Sequence, residues 1–284
     1  MQIIILKMQN VQKKAKILRE ALPYIKKYSG KIFVIKYGGN AMIDEEIKKS
    51  VMGDIALLKH VGINPIVVHG GGPTISKEMQ KAQIKPVFVN GLRYTDEKTM
   101  DIVRKVSLEI NNEIISMLEN EKCKAENLTN GLMKTKIKNP ELGLVGEIID
   151  VDNKKLLEAI KLDVIPVISP IGHDGKNYNN INADTVAAKI AEAVNAEKLT
   201  ILTDVEGVYQ DNHLVSHLSI EDALDGIKKG VINKGMIPKV EACITAVEAG
   251  VQKAHLIDGT YKQSLLVEIF TDEGIGTEIV KNGN

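Results

Sequence analysis

Short runs of aliphatic residues alternate along the chain with longer stretches whose apolar residues recur every three or four positions. The runs predict buried strands, which we place at 32–36, 65–69, 164–169, 199–203 and 254–258. The longer stretches predict helices, which we place after Asp44, from Pro73, over 96–119, from Asp184, near 220–229 and over 238–249. Strands that alternate with helices form βαβ units. The pattern therefore predicts the α/β class, as a three-layer αβα sandwich with a mainly parallel central sheet.

Residues 125–151 depart from this alternation. In this segment Thr, Lys, Asn and Gly mix with short β-prone pieces such as GLVGEIIDV. Such a composition is typical of a hairpin inserted into the chain. The total of 284 residues suits either one large domain or two lobes, because a single domain commonly has ~150 residues.

Charge and composition exclude several classes of protein. The chain has 37 Lys and Arg against 37 Asp and Glu, so no net field attracts nucleic acid or an anionic membrane. No apolar run approaches the ~18 residues of a membrane span. Cys123 and Cys243 lie far apart without a CxxC spacing, which predicts two buried thiols in a reducing compartment. We therefore expect a cytoplasmic protein that binds neither nucleic acid nor membrane.

Two predicted strands end in glycine-rich loops, Lys36-Tyr37-Gly38-Gly39-Asn40 and His69-Gly70-Gly71-Gly72-Pro73. Ligands of parallel sheets bind at the carboxyl ends of strands, and glycine lets backbone N–H groups approach a phosphate closely. Neither loop closes with GK[ST] or fits GxGxxG, which disfavours a P-loop NTPase and a standard dinucleotide fold. A single GGG indicates only a tight turn, but two such loops after consecutive strands favour phosphate binding.

Three further segments bring polar groups to the ends of predicted elements. They are NINAD at 180–184, TDVEGVY at 203–209 and NKGMIPK at 233–239. Asn182 or Asp184 alone would serve as a helix N-cap, the common role of these residues. Three polar side chains around one helix start are more than a cap requires, which indicates a binding loop.

In this order along the chain, KYGGN, HGGGP, NGLRYT, NINADTVAA, LTDVEGVY and GMIPKVEA resemble the amino acid kinase family. The resemblance runs from about residue 12 to the end and is strongest to members that phosphorylate the side-chain carboxylate of N-acetyl-L-glutamate in arginine biosynthesis. It implies that ATP, with Mg²⁺ on its phosphates, yields an acyl phosphate and ADP. It also implies a helical extension at 1–28 and a kinase domain at 29–284. In that domain an N-lobe (about 29–177) binds the acyl amino acid and a C-lobe (about 178–284) binds the nucleotide.

The resemblance assigns roles to individual residues. Lys36 and Lys239 would stabilise the transferring phosphoryl group, and Asp184 would orient both lysines by ion pairing. The residues implied to bind the acyl amino acid are Gly71, Gly72, Arg93 and Asn180. The residues implied to bind the nucleotide are Gly38, Gly39, Thr203, Asp204, Gly207, Val208, Tyr209, Lys234 and Gly235. No dedicated protein site for a metal ion is expected.

The chemistry of the residue types agrees with these roles. A carboxylate nucleophile, with a pKa near ~4.3, is already ionised at pH 7, so no general base is needed. We therefore interpret His69 as structural. The guanidinium fork of Arg93 suits the two oxygens of the substrate α-carboxylate, and the Asn180 amide can serve both the carbonyl and the N–H of the acylated amino end.

Two alternative functions remain open at this point. A similar kinase could phosphorylate aminoadipate or glutamate attached to a carrier protein, in lysine or arginine biosynthesis. A member of the family without catalysis could instead sense a ligand, although the joint presence of Lys36, Asp184 and Lys239 argues against this.

An apolar seam near the start of the chain predicts one more helix. Val11, Ala15, Leu18, Leu22 and Ile25 are spaced by four, three, four and three residues. The helix can pack on its own domain or on a neighbouring subunit. The resemblance implies the second, because it extends to arginine-inhibited members whose N-terminal helices interlace dimers into a ring-shaped hexamer.

The same resemblance implies an arginine effector beside this helix. Glu268 and Gly274 to Gly276 match the effector segment of those members. Thr260 and Gln263 stand where an arginine and a histidine are common, and both departures are expected to weaken the site.

Overall fold

The computed structural model describes residues 2–233, 235–272 and 274–281, with side chains at residue 12 and from residue 15 onward. The helices are α1 (Gln2–Tyr28), α2 (Glu45–His60), α3 (Gly72–Lys81), α4 (Glu97–Asn120), α5 (Asn153–Lys161), α6 (Ala183–Ala193), α7 (Ile220–Lys228), α8 (Ile237–Glu248) and α9 (Ser264–Phe270). The strands are β1 (Ile32–Tyr37), β2 (Asn64–His69), β3 (Phe88–Val89), β4 (Leu92–Arg93), β5 (Lys124–Asn127), β6 (Met133–Ile137), β7 (Gly146–Val151), β8 (Val164–Ile168), β9 (Ile171–His173), β10 (Tyr178–Asn180), β11 (Lys198–Thr203), β12 (Tyr209–Gln210), β13 (His213–Leu214), β14 (His217–Ser219), β15 (Lys253–Asp258) and β16 (Thr277–Val280).

The described strands build an eight-stranded central sheet in the order β14-β16-β15-β11-β1-β2-β8-β5. The strands from β15 to β5 are all parallel, whereas β16 runs antiparallel to β15 and carries β14 parallel to itself at the edge. Apolar side chains of helices cover both faces of this sheet. The prediction of a three-layer α/β sandwich with a mainly parallel sheet is therefore confirmed.

Strand β1 lies in the middle of the sheet, and its alternation decides which side chains face which helical layer. Phe33 and Ile35 pack in the cluster that contains α2 and α4, whereas Val34 packs with α6 and α8. Because successive side chains of a strand point to opposite faces, Lys36 shares the face of Val34. The first catalytic candidate is thereby directed toward the α6 and α8 layer.

The segment predicted as a hairpin insert, 125–151, divides between two sheets. Strands β6 and β7 do form an antiparallel pair, and with β9 and β10 they build a separate sheet whose order, among the described strands, is β10-β9-β6-β7. Residues 124–127, however, pair in parallel with β8 as the edge strand of the central sheet. The insert prediction was wrong for these residues, because four residues of mixed polarity carry no local signal of a long-range strand partner.

The N-caps explain where two helices of the core begin. Asp44 accepts the N–H groups of Glu46 and Ile47 at 2.8 and 3.0 Å and starts α2, as predicted. At α6 the sequence left two candidates, and Asn182 is the cap, because its side-chain oxygen accepts the N–H of Asp184 at 2.8 Å. Asp184 therefore does not cap α6 and lies in its first turn.

Helix α1 confirms the predicted N-terminal helix and packs on the domain mainly through its last turns. Tyr28 is buried against Phe33, and the Tyr24 hydroxyl donates to Asp272. Leu18 and Leu22 remain 75% and 45% exposed, so this part of the seam meets solvent in a single chain. The side chain of Val11 lies outside the described residues. Within the described residues, no helix is both long enough and apolar enough to cross a membrane.

Candidate active site

The two glycine-rich loops meet at the carboxyl ends of neighbouring strands. Strands β1 and β2 pair in parallel up to Tyr37 and His69, and the N–H of Gly70 donates to the Tyr37 carbonyl at 2.8 Å. Strand β11 ends on the other side of β1, with Thr203. The predicted loops thus form one edge of the sheet, where βαβ folds bind ligands.

Three charged side chains form the centre of this edge. The ammonium group of Lys36 lies 3.0 Å from Oδ1 of Asp184, and that of Lys239 lies 3.2 Å from Oδ2. Lys36 comes from β1, Asp184 from the first turn of α6 and Lys239 from the first turn of α8. The fold therefore places two lysines on the two oxygens of one carboxylate, in contact with the sheet end.

Burial controls the charges of this group. Lys36 and Asp184 are 6% and 4% exposed, whereas the side chain of Lys239 keeps 20% of its surface open. Burial lowers the pKa of Lys36, and the adjacent Asp184 carboxylate opposes that change. Burial by itself would raise the pKa of Asp184, but Lys36 and Lys239 together hold that pKa below its usual value. Asp184 is therefore ionised at neutral pH, and Lys239 is the more exposed of its two lysine partners.

The geometry of the first glycine loop favours glycine at two positions. A β-carbon at Gly38 would lie 2.9 Å from Nζ of Lys36, so a side chain there would displace the lysine. Gly39 has φ +67°, in the left-handed region that favours glycine. Gly72 begins α3, whose first N–H groups have no acceptor within the helix and are suited to bind an anion.

The residues predicted to hold the acyl amino acid are connected to one another. Arg93, at the end of β4, is 7% exposed and donates from Nη2 to the Gly72 carbonyl and to the Ser76 hydroxyl, both at 2.9 Å. The Asn180 amide donates to Thr95 at 3.0 Å, and Thr95 donates to the Arg93 carbonyl at 2.8 Å. Hydrogen bonds therefore connect Arg93 to the start of α3 and, through Thr95, to Asn180.

Sequence reasoning missed Thr95 and Ser76 in this part of the site. Thr95 is the last residue of the motif NGLRYT, two residues after Arg93. Its place in this motif was the available sequence signal for its role. The guanidinium of Arg93 also lies 4.7 Å from the ring centroid of Phe88, which comes from the paired strand β3. Nothing in the local pattern of β3, two exposed residues long, indicates this contact.

The predicted nucleotide residues divide into two groups. Thr203 and Asp204 lie at the sheet end, where Asn40 of the first glycine loop donates to Asp204 at 3.4 Å. Gly207 and Val208 pack on β16, because the Val208 N–H donates to Thr277 at 2.8 Å and a β-carbon at Gly207 would lie 2.5 Å from the Thr277 hydroxyl.

Two further predicted nucleotide residues lie within the described part of the chain. Tyr209 is 43% exposed on β12, and Gly235 precedes α8. Lys234 lies outside the described residues. Among the residues that the structure describes, no three His, Cys, Asp or Glu side chains are arranged to hold a metal ion.

Comparison with known proteins gives the family to which this fold and site belong. The model of the amino acid kinase family matches residues 31–258. The chain therefore belongs to the amino acid kinase family. It is 52% identical over 280 residues to the acetylglutamate kinase of Caldanaerobacter subterraneus subsp. tengcongensis, covering 94% of this chain and 93% of the relative. It is 47% identical over 296 residues to the acetylglutamate kinase of Aquifex aeolicus, covering 96% and 99%. Within the family it thus groups with the acetylglutamate kinases.

A solved structure extends the comparison to the fold. The N-acetylglutamate synthase of Neisseria gonorrhoeae, complexed with coenzyme A and N-acetyl-glutamate, superposes with a TM-score of 0.87 at 25% identity. The match covers 94% of this chain and 63% of the synthase chain, so this chain spans less than two thirds of that protein.

Proposed function

We propose that the protein transfers the γ-phosphoryl group of ATP to the side-chain carboxylate of N-acetyl-L-glutamate, giving an acyl phosphate and ADP. The observation that carries this proposal is the placement of Lys36 and Lys239 on the two oxygens of Asp184 at the glycine-rich sheet end. The 47–52% identity to acetylglutamate kinases supports the choice of substrate.

The reaction needs positioning and positive charge more than it needs proton transfer. The attacking carboxylate is ionised at neutral pH, and the transferring phosphoryl group spreads negative charge over its oxygens. Lys36 and Lys239 approach from β1 and α8, on either side of the Asp184 carboxylate. Because the carboxylate fixes both ammonium groups in advance, they lose little freedom when the charge develops.

The acyl amino acid would bind between Arg93 and Asn180. The guanidinium of Arg93 can turn its N–H groups from Gly72 and Ser76 to the substrate α-carboxylate. The Asn180 amide, held by Thr95, would meet the acetylated amino end. The acyl amino acid would then lie in the N-lobe, about 29–177, and Asn180 would close the site from the start of the C-lobe, about 178–284.

The nucleotide would bind over the C-lobe, about 178–284, with its phosphates toward the N–H groups of Gly38 and Gly39. Mg²⁺ would enter as part of the Mg–ATP substrate, held by phosphate oxygens and water. Asp184 suits this arrangement, because both of its oxygens are engaged by lysines and it offers no ligand to the ion. The lysines and the ion would share the neutralisation of the phosphates.

We extend the proposal to assembly. The exposed positions Ile17, Leu18 and Leu22 on α1 support docking of this helix on a neighbouring subunit, as in a hexamer built from dimers. A cytoplasmic location is part of the same proposal, because the substrates are soluble metabolites.

An arginine effector site is also part of the proposal. A cavity of about 330 Å³ lies between α1, β15 and β16, and supports it. Among its lining residues are Tyr24, Lys27, Lys198, His255, Glu268, Gly274 and Gly276. Thr260 hydrogen-bonds to Asp258 and Gln263 hydrogen-bonds to Ser50.

The test measures ADP release from Mg–ATP with free N-acetyl-L-glutamate, together with trapping of the acyl phosphate by hydroxylamine. We expect turnover and a hydroxamate of N-acetylglutamate. Turnover only with glutamate or aminoadipate on a carrier protein would favour the alternative kinase. No ADP release with any of these acids would favour a ligand sensor.

A further inference from the structure

A buried polar cluster lies directly beneath the second glycine loop and takes no part in the chemistry proposed above. It consists of His69, Asn111, Ser169 and Ser107, each 3% exposed or less. His69 ends β2, Ser169 follows β8, and the other two come from α4. The cluster therefore ties two strand ends and one helix together under Gly70.

The hydrogen bonds of this cluster define which ring nitrogen of His69 carries its proton. Nδ1 lies 2.7 Å from the Gly70 carbonyl, which can only accept, so Nδ1 must donate. Burial lowers the pKa of His69 to about 4, so the ring is neutral and Nε2 must accept. The Asn111 amide supplies that donor at 3.0 Å.

The remaining bonds are consistent with this assignment. The second N–H of the Asn111 amide donates to the Ser169 hydroxyl. That hydroxyl lies 3.1 Å from Nε2 of His69 and 3.5 Å from the Ser107 carbonyl, so it donates to the nearer Nε2. Asn111 Oδ1 has no partner among the described residues. The Asn111 amide therefore donates both N–H groups, one to His69 and one to Ser169, while its oxygen accepts no hydrogen bond from the described residues.

The bond to Gly70 sets the direction of the next N–H group. The peptide between Gly70 and Gly71 is trans, and in a trans peptide the C=O and N–H bonds point in opposite directions. Since the Gly70 carbonyl is held by the buried ring, the Gly71 N–H is turned away from it. This N–H donates to no residue that the structure describes.

We propose that His69 is a positioning residue, whose Nδ1–H holds the Gly70 carbonyl and so aims the Gly71 N–H at the reacting carboxylate and phosphoryl group. The inference rests on the proposed function, because it assigns this N–H to the charge that develops during transfer. Asn111 and Ser169 keep the ring in the tautomer that makes the bond. His69 itself touches no substrate.

Two polar variants separate this role from simple packing. His69→Asn places an amide N–H₂ near the Nδ1 position, whereas His69→Gln places its N–H₂ near the Nε2 position. Both variants replace the imidazole ring by a neutral amide, so each is the matched control of the other. We expect His69→Gln to lower kcat about 100-fold, as a misaimed group does, and His69→Asn to lower it less than about 10-fold. The KM for ATP should change less than about 3-fold in both.

Wild-type protein in the same ADP assay keeps the two proposals distinguishable. An inactive wild type contradicts the proposed function, whereas an active wild type with equal kcat in the two folded variants contradicts the role of His69. Circular dichroism checks that both variants fold. If either variant does not fold, neutron diffraction of wild-type crystals decides instead. A proton on Nδ1 of His69 supports the proposal, and a proton on Nε2 alone overturns it.

Discussion

Asp184 holds both lysines of the candidate active site on one buried carboxylate. Such a group is costly to bury, and its geometry is fixed because each charge has its partner within 3.2 Å. The side chain of Lys36 is more buried than that of Lys239, so the two lysines differ in their access to solvent. In the proposed mechanism Lys36 would anchor the carboxylate, and the more exposed Lys239 would follow the substrate.

Removing either lysine should impair catalysis far more than binding. For Lys36→Ala or Lys239→Ala we expect kcat to fall about 10²–10³-fold, because each charge acts mainly in the transition state. Lys189→Ala serves as the control, since Lys189 lies on the same helix as Asp184 but pairs with Glu192 at the surface. Steady-state kinetics on folded variants measure the effect. A kcat within 2-fold of wild type for both lysine variants would remove them from the mechanism.

Arg93→Lys should affect the acyl amino acid selectively. Lysine keeps the positive charge but loses the fork that spans two carboxylate oxygens. We expect the KM for N-acetyl-L-glutamate to rise at least about 10-fold, with a much smaller change in the KM for ATP. Initial rates with each substrate varied in turn provide the two values. An unchanged KM for N-acetyl-L-glutamate would contradict the assignment of Arg93.

His69 should make the protein less stable in acid. Burial lowers its pKa to about 4, whereas a histidine in an unfolded chain has a pKa near ~6.5. Between these values only the unfolded state binds the proton, so the free energy of unfolding decreases as the pH falls from ~6.5 to ~4. Over this pH range the free energy of unfolding falls by about 3 kcal/mol.

The variant His69→Asn lacks this titration. As the pH falls from ~7.5 to ~4, the free energy of unfolding of His69→Asn should rise by about 3 kcal/mol relative to that of wild type. Urea unfolding of both proteins across this range measures the difference, and other titrating groups cancel. A difference that stays constant with pH would show that His69 titrates normally.

At the scale of elements, the start of α6 connects helix stability to the site. The Asn182 side chain caps the helix and fixes the first turn, which carries Asp184. Helix α5 offers a comparison, because Asp152 caps it by accepting the Lys155 N–H at 3.2 Å, and α5 carries none of the three charged side chains of the site.

Replacing the two caps should therefore have different consequences. We expect Asn182→Ala and Asp152→Ala each to lower the free energy of unfolding by about 1 kcal/mol. Only Asn182→Ala should also lower kcat, because it loosens the turn that orients Asp184. Thermal unfolding and ADP release on both variants test this. Equal kcat values in the two variants would show that the α6 cap supports the fold alone.

At the scale of the whole molecule, helix α1 leaves an exposed apolar seam. Leu18 is 75% exposed, and a chain on its own gains nothing by presenting it to water. Deleting residues 1–26 should reduce a hexamer to dimers, abolish any response to arginine and keep most of the basal activity. Light scattering and an arginine titration compare the full chain with the truncated one.

A point variant on the same helix checks the seam itself. Leu18→Lys should reduce the mass in solution as the deletion does. Lys16→Gln is the matched control, since residue 16 lies on the opposite side of the helix from residue 18. Identical masses for full-length and truncated protein would refute the interlacing of subunits.

The sequence determined the elements whose signals are local. Aliphatic runs predicted the inner strands β1, β2, β8, β11 and β15, because strands buried on both faces are almost continuously apolar. Asp44 marked a helix start, since a cap acts within three residues. The ordered motifs from KYGGN to GMIPKVEA indicated the family, and with it the residues to examine.

Tertiary structure alone decided what depends on distant partners. Residues 124–127 form an edge strand because β8 lies beside them, and β16 runs antiparallel to β15 and pairs with β14 at the other edge. The contact of Arg93 with Phe88 and the bond between Thr95 and Asn180 likewise join separate segments.

The tautomer of His69 shows the same limit most clearly. The histidine is visible in HGGGP, but its proposed role depends on Asn111 from α4 and on Ser169, which follows β8. Local periodicity reports which face of an element is buried, because that is set by backbone geometry. It cannot report which polar groups meet in the buried layer, because hydrogen bonds form between whichever side chains the packed elements bring together.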